Sequence, residues 1–353
     1  MANFANTTAV LLLILDNVSF EVSIFGFTRG VISTLGAIGH SLTIGTFVSM
    51  GLKDGINLAF LFLSLSDLLY LISITAGSFS YVFITTELLT NFKVCFLIDA
   101  YGVTVFFVNI ASGFYTSVML VTTFLSIARC LSVASPVWFR QHVSRKNIVG
   151  TFMVVSCCFC LCTAVPVLVF MGISPAFDSR TNTTRPMLWI SPIRKFVTNI
   201  TWTLIGSVIP LAVQFILTLC VFVMTSYLKK SLQFRVMHAV VPANTNPNGN
   251  ISENTEVNTE VKEKFKFSGK ELQIIKQLII ISIVFIVCNV PKISLNIAKF
   301  AVPEFITNGK FGKLYEILDI VRDTFQIINS SCNVFVYYNY NSKFRSMFWK
   351  WYR

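Results

Sequence analysis

Seven polar residues near the C-terminus, Glu316, Asp319, Asp323, Gln326, Ser330, Asn333 and Tyr337, follow one another at alternating intervals of three and four. On a helix that spacing puts them all on one face. At about 1.5 Å rise per residue the ladder is roughly 30 Å long, the thickness of a bilayer's hydrocarbon core. Carboxylates and amides are costly against lipid, so such a stripe must face other helices or water. The chemistry open to it is the holding of a cation or proton by carboxylates, and recognition of a polar ligand. Further ionisable residues fall within apolar segments, among them Asp67, Lys292 and Arg322. Lys292 needs a partner there, and Asp323 is the candidate for an ion pair with it.

Helices that cross a membrane are what such residues require. Of 353 residues 54% are hydrophobic and only 12% charged, with mean hydropathy +0.70. That composition is that of an integral membrane protein. Seven stretches are long enough to span: about Arg29 to Met50, Ile56 to Tyr81, Cys95 to Arg129, Asn147 to Met171, Phe196 to Leu228, Glu271 to Phe300 and Lys313 to Tyr338. Ala100 to Ala128 and Phe196 to Leu228 carry no charge at all. The expectation is an all-α membrane protein, a seven-transmembrane helix bundle over residues 29–340. The alternation of a membrane β-barrel is absent.

Most lysines and arginines, among them Lys53, Arg140, Arg145, Lys229, Lys230, Lys262 and Lys343, fall in segments that share one side when the N-terminus is outside. The positive-inside bias thus predicts a plasma-membrane protein with residues 1–28 extracellular and the C-terminus inside. Sequons at Asn6, Asn17 and Asn182 agree, each lying in a segment assigned outside. The +12 net charge sits at membrane edges, so anionic lipid rather than nucleic acid is the expected partner. Residues 237–268, rich in Asn, Thr, Pro and Glu, read as a disordered inner loop. There is no phosphate-cradling loop, no HExxH and no room for a soluble enzyme domain, so no enzyme is expected. The cysteines crowding the fourth span read as small packing residues, and Cys95 finds no second outer cysteine to pair with.

Short motifs in order along the chain resemble one family, the rhodopsin-like (class A) G protein-coupled receptors. NLAFLFLSLSDLL is similar to the family's second-helix signature, with Asp67 as its aspartate. TTFLSIARCLSVASPVWF is similar to the Asp-Arg-Tyr region, with Arg129 as the arginine and Pro136 following. Pro210 stands in the fifth span, FIVCNVP with Phe285, Cys288 and Pro291 in the sixth, and NSSCNVFVYYNYNSKF in the seventh, followed by a short amphipathic eighth helix in residues 341–353. The departures are Val334 for the proline between Asn333 and Tyr337, Asn289 for the usual tryptophan, Ala128 for the acidic residue before Arg129, and His40 at the first span's asparagine.

The resemblance implies roles. Asp67 with Asn329, Ser330 and Asn333 would form a sodium or proton site, the alternative being a water-filled hydrogen-bond cluster that holds helices together. Arg129, Glu271, Phe285, Pro291 and Tyr337 would form the activation switch. Glu271 would grip Arg129, or cap the sixth helix through Ser268 to Glu271. The ligand would enter a pocket of Phe106, Phe107, Tyr115, Lys292, Asn296, Arg322, Asp323 and Gln326. Ala111 and Ile327 stand where aminergic receptors have aspartate and opsins lysine, so a peptide or small chemosensory molecule is expected instead. A heterotrimeric G protein would bind the basic inner loops. The tail's Phe344, Phe348 and Trp349 are expected to lie mainly on the membrane. The competing function is a seven-span channel or transporter with the polar ladder lining its path.

Overall fold

The computed structural model describes residues 20–51, 55–135, 150, 154, 157–158, 161, 165, 167–179, 181–193, 204–240, 269–302, 304–305 and 309–352. The chain is mostly helical. The long helices are α1 (Phe20–Met50), α2 (Gly55–Leu89), α3 (Ala100–Ala134), α4 (Ile209–Val240, entered through a π turn at Leu204–Val208), α5 (Gly269–Ala301) and α6 (Gly312–Tyr340), followed by a short α7 (Ser342–Tyr352). Five of these, α1 to α5, are long and apolar enough to cross a membrane by length and composition. Asn6, Asn17, most of the expected fourth span and residues 241–268 lie outside the described residues.

In apolar surroundings a helix satisfies its own backbone, and its serines and threonines return their hydroxyls to it. Thr43 donates to the Gly39 carbonyl at 2.9 Å, Thr46 to Leu42 at 2.8 Å and Ser73 to Leu69 at 2.8 Å. Helix ends follow local chemistry. Asp99 caps α3, its carboxylate accepting from the Gly102 amide at 3.0 Å, and α3 stops one residue short of Pro136. Gly51, at φ +88°, closes α1 in a conformation that needs no Cβ. The Asn341 side chain accepts from the Phe344 amide at 3.0 Å and starts α7.

Helices α1 to α6 pack as a ring, each against its neighbour in sequence and α6 back against α1, with α3 also touching α5. Small residues set the closest approach: a Cβ on Gly39 would stand 3.2 Å from Val334 Cγ2 of α6. Besides a small cluster of Val133, Cys220, Met224, Ile275 and Ile279 between α3, α4 and α5, two larger buried apolar clusters fill the interior. One, towards the hairpin end described next, holds Tyr70, Leu71, Tyr115, Met119, Leu217, Phe285 and Ile327. The other, at the tail end, holds Phe47, Phe60, Leu63, Val121, Leu125, Tyr337 and Phe344.

Two expectations are corrected. The chain is not all-α: β1 (Met171–Asp178) and β2 (Thr183–Ile190) form an antiparallel hairpin, Met171 paired with Ile190 and Asp178 with Thr183. Asn182 lies exposed in its turn at φ +57°, a conformation asparagine tolerates. Phe344 does not lie outside the bundle. It is fully buried, its ring 5.2 Å from Phe47 and 6.0 Å from Tyr337, because α7 docks against α1. Trp349 stays exposed, donating to the Tyr338 hydroxyl at 3.1 Å.

Candidate functional site

The polar face of α6 meets α1 and α2 at two levels. Near the hairpin end, Asp323 sits between two guanidiniums. Arg29 of α1 donates to its Oδ2 at 2.7 Å, and Arg322 donates to its Oδ1 at 2.7 Å. Arg322 also reaches Asp319 at 2.6 Å, one turn earlier. The expected Lys292–Asp323 ion pair is therefore corrected. Two bidentate-capable cations occupy the carboxylate, and the Lys292 ammonium lies instead over the Tyr115 ring, 5.0 Å from its centre. Arg29 was not among the expected site residues because it stands at a span edge, where a solvated cation is the ordinary reading.

The other expected ligand residues divide. Tyr115, Lys292, Arg322 and Asp323 gather at this end. Gln326 is buried on the same face of α6. Phe106 and Phe107 pack edge to face on each other, 5.6 Å apart. Asn296 is turned to the backbone, its amide donating to the Gly206 carbonyl in the π turn. That turn frees carbonyls from the regular ladder, which is what lets a neighbouring helix bond to it.

Below the ion pairs, Tyr70, Tyr115, Phe285 and Ile327 form an apolar layer across the bundle. The Tyr115 hydroxyl donates to Asn289 Oδ1 at 3.0 Å, while Asn289 Nδ2 donates to the Phe285 carbonyl at 2.9 Å. Asn289 thus joins α3 to α5 where the resembling family has tryptophan. Further along the same pair, Ser126 and Ser282 share a buried hydrogen bond of 2.8 Å.

Under this layer lies Asp67, fully buried in α2. Asn333 Nδ2 donates to its Oδ2 at 2.9 Å. His40 of α1 approaches the same oxygen at 4.0 Å, and its Nε2 is 2.7 Å from the Ser330 carbonyl. A carbonyl only accepts, so Nε2 carries the proton. Asp67 Oδ1, His40 Nδ1, Ser330 Oγ, Asn329 Nδ2 and Tyr337 Oη are buried with no hydrogen-bond partner in the protein. So many unmatched polar atoms in one place fit water or a small cation. Of the four expected residues, Asp67, Ser330 and Asn333 come together, and Asn329 is buried on the same helix as the last two. His40 joins them, signalled in the sequence only by its departure from the family pattern.

Of the expected switch residues, Phe285 and Tyr337 are buried in the two larger apolar clusters and Pro291 lies inside α5. Arg129 is half-buried in the last turns of α3, and the Glu271 side chain lies outside the described residues.

The hairpin is fastened by a cluster absent from the expectations. Arg185 of β2 donates to Asp178 at 2.9 Å and to Glu87 of α2 at 2.7 Å, with Asp99 at 3.9 Å. All four are buried. Burial disfavours the Arg185 charge, but the hydrogen bond and charge of Glu87, with Asp178 and Asp99, outweigh it and hold the guanidinium above its ordinary pKa. The backbone adds the Asp99 amide donating to the Pro186 carbonyl at 3.0 Å. Cys95 is exposed and free.

Compared with known proteins, the chain is matched by no family model and by no curated protein.

Proposed function

We propose that the chain is a plasma-membrane receptor of the rhodopsin-like, G protein-coupled kind: seven membrane helices with α7 as the amphipathic eighth, binding an extracellular ligand at the hairpin end and a heterotrimeric G protein at the tail end. The observation that carries this reading is the division of α6. One helix holds an ion-paired cluster at one end and the Asp67 cluster in its middle, with the apolar layer of Tyr70, Tyr115, Phe285 and Ile327 between them.

That layer favours a receptor over a channel, since a conducting path along the polar ladder would have to pass through it. It also supplies coupling. A ligand touching Lys292 or Tyr115 bears on the Tyr115–Asn289 bond, and thereby on how α5 sits against α3. Activation would be a shift between two packings, in which α5, with Pro291 inside it as a point of flexibility, gives up the Ser126–Ser282 bond and opens a site beside Arg129. The unmatched atoms around Asp67 would hold sodium, a proton or water and favour the closed packing.

A second-messenger screen of the expressed receptor against peptides and small metabolites tests this. A ligand response lost in Arg129→Ala, at equal surface expression, is the expected result. Ligand-evoked current that persists in Arg129→Ala would replace the receptor with a channel. Glu271→Gln should raise ligand-independent signalling if Glu271 grips Arg129, and leave it unchanged if Glu271 only caps α5.

A further inference from the structure

At the hairpin end the ion pairs around Asp323 leave Lys292 out. Asp323 accepts from both Arg29 and Arg322, and Asp319 is taken up by Arg322 at 2.6 Å. Those two carboxylates are taken up by the two guanidiniums, and Lys292 is left with an aromatic face alone, as Lys299 is over the Tyr315 ring nearer the edge. Among the described residues no carboxylate stands within ion-pair reach of Lys292. The charges that do act on Lys292 are those of Arg322 and Asp323, one repelling and one attracting. A cation against a ring gains roughly 0.5–2 kcal/mol, much less than an ammonium loses on leaving water. An ammonium held this way favours an anion.

A second observation concerns the same Tyr115 ring. Tyr70 packs on Tyr115, ring centres 5.1 Å apart, so its phenol and the Lys292 ammonium share one aromatic pair. Tyr70 is 1% exposed, and its hydroxyl has no hydrogen-bond partner. The neighbouring hydroxyl of Tyr115 is already given to Asn289, so only that of Tyr70 is available to donate. The Arg29 Nε–H is likewise buried and unmatched. Cation and donors are what a carboxylate accepts from, and the rings suit an apolar body.

We propose that Lys292 and the Tyr70 hydroxyl form a subsite for the carboxylate of a small organic acid, whose apolar body rests against the Tyr70–Tyr115 pair. This rests on the reading of the hairpin end as the ligand side of a receptor, and it names the ligand's chemistry: an organic anion rather than an amine.

The test is thermal unfolding of the full chain in lipid nanodiscs, titrated at constant ionic strength with benzoate, benzamide and benzylamine. Benzoate should raise Tm in a saturable way, while the neutral and cationic analogues do not. Lys292→Gln should weaken benzoate at least about tenfold, Lys292→Arg should retain it within a few-fold, and Tyr70→Phe should weaken it by about tenfold or more, the loss of one hydrogen bond to a charged group. Equal responses in the wild type and Lys292→Gln, no response in either included, overturn the proposal, as does benzamide or benzylamine matching benzoate. Should Lys292→Gln not yield folded protein, Tyr70→Phe decides, and unchanged benzoate binding there overturns the subsite. No G protein takes part, so a receptor that activates its G protein yet ignores benzoate would overturn the subsite alone.

Discussion

Arg29 donates to Asp323 Oδ2 at 2.7 Å, tying the start of α1 to α6 across 294 residues of sequence. Both side chains are mostly buried, at 18% and 14% exposed. A partly buried carboxylate between two guanidiniums is hard to remove without leaving charge unmatched.

Asp323→Asn should therefore lower stability by about 3–5 kcal/mol, the loss expected when one partner of a buried ion pair is deleted. Tm of the purified chain reports it, with Lys93→Gln, an exposed lysine, as control. A fall no larger than the control's would mean that Asp323 is not the centre of this cluster.

At the Asp67 cluster, sodium should lower agonist affinity, and Asp67→Asn should abolish that effect. His40 stands 4.0 Å from the same carboxylate oxygen, filling room that a cation would use. His40→Asn is expected to enlarge the sodium effect several-fold, measured as the shift in agonist affinity between sodium and a bulky organic cation. An unchanged sodium response in Asp67→Asn would remove the ion from this site and leave a hydrogen-bond cluster.

The hairpin cluster predicts a different loss. Arg185→Ala leaves Glu87, Asp99 and Asp178 buried with no cation among them, at a cost of about 3–5 kcal/mol. Arg185→Lys should recover only part of it, since an ammonium lacks the fork that serves Asp178 and Glu87 together. Hydrogen exchange of residues 171–190 is the measurement, with faster exchange across the hairpin expected in both variants. Exchange equal to wild type in Arg185→Ala would show that backbone contacts suffice.

Much of the helical plan was legible because period and apolar length are local properties. The face of α6 could be read from spacing alone, and Asp67, Ser330 and Asn333 were named from motifs and do meet. What was not legible depends on which residues lie opposite in three dimensions. Arg29 at a span edge gave no sign that it turns inward, and so the partner of Asp323 was misread as Lys292. Tyr70 is one tyrosine in an apolar helix, and only packing against Tyr115 gives its hydroxyl meaning. The hairpin was missed because Met171–Asp178 and Thr183–Ile190 lack a clean polar alternation, and Arg185, the residue that fastens it, read as a loop cation. Phe344 was placed on the membrane because an amphipathic helix does not reveal which neighbour takes its apolar face.

Orientation has its own test. Asn182 is exposed at the hairpin tip, so with the hairpin outside the cell Asn182→Gln should remove one glycan, seen as a smaller mobility shift on deglycosylation. No change in that shift, with Asn6 and Asn17 also replaced, would place this end inside.

The most direct test reconstitutes the full chain in liposomes with purified heterotrimeric G proteins and follows nucleotide exchange and ion flux in the same vesicles. A receptor built as proposed accelerates exchange on at least one G protein, loses that acceleration in Arg129→Ala, and passes no ions. Ion flux carried by wild type and blocked by substitutions along Asp323, Gln326 and Ser330, with no exchange on any G protein, would contradict it.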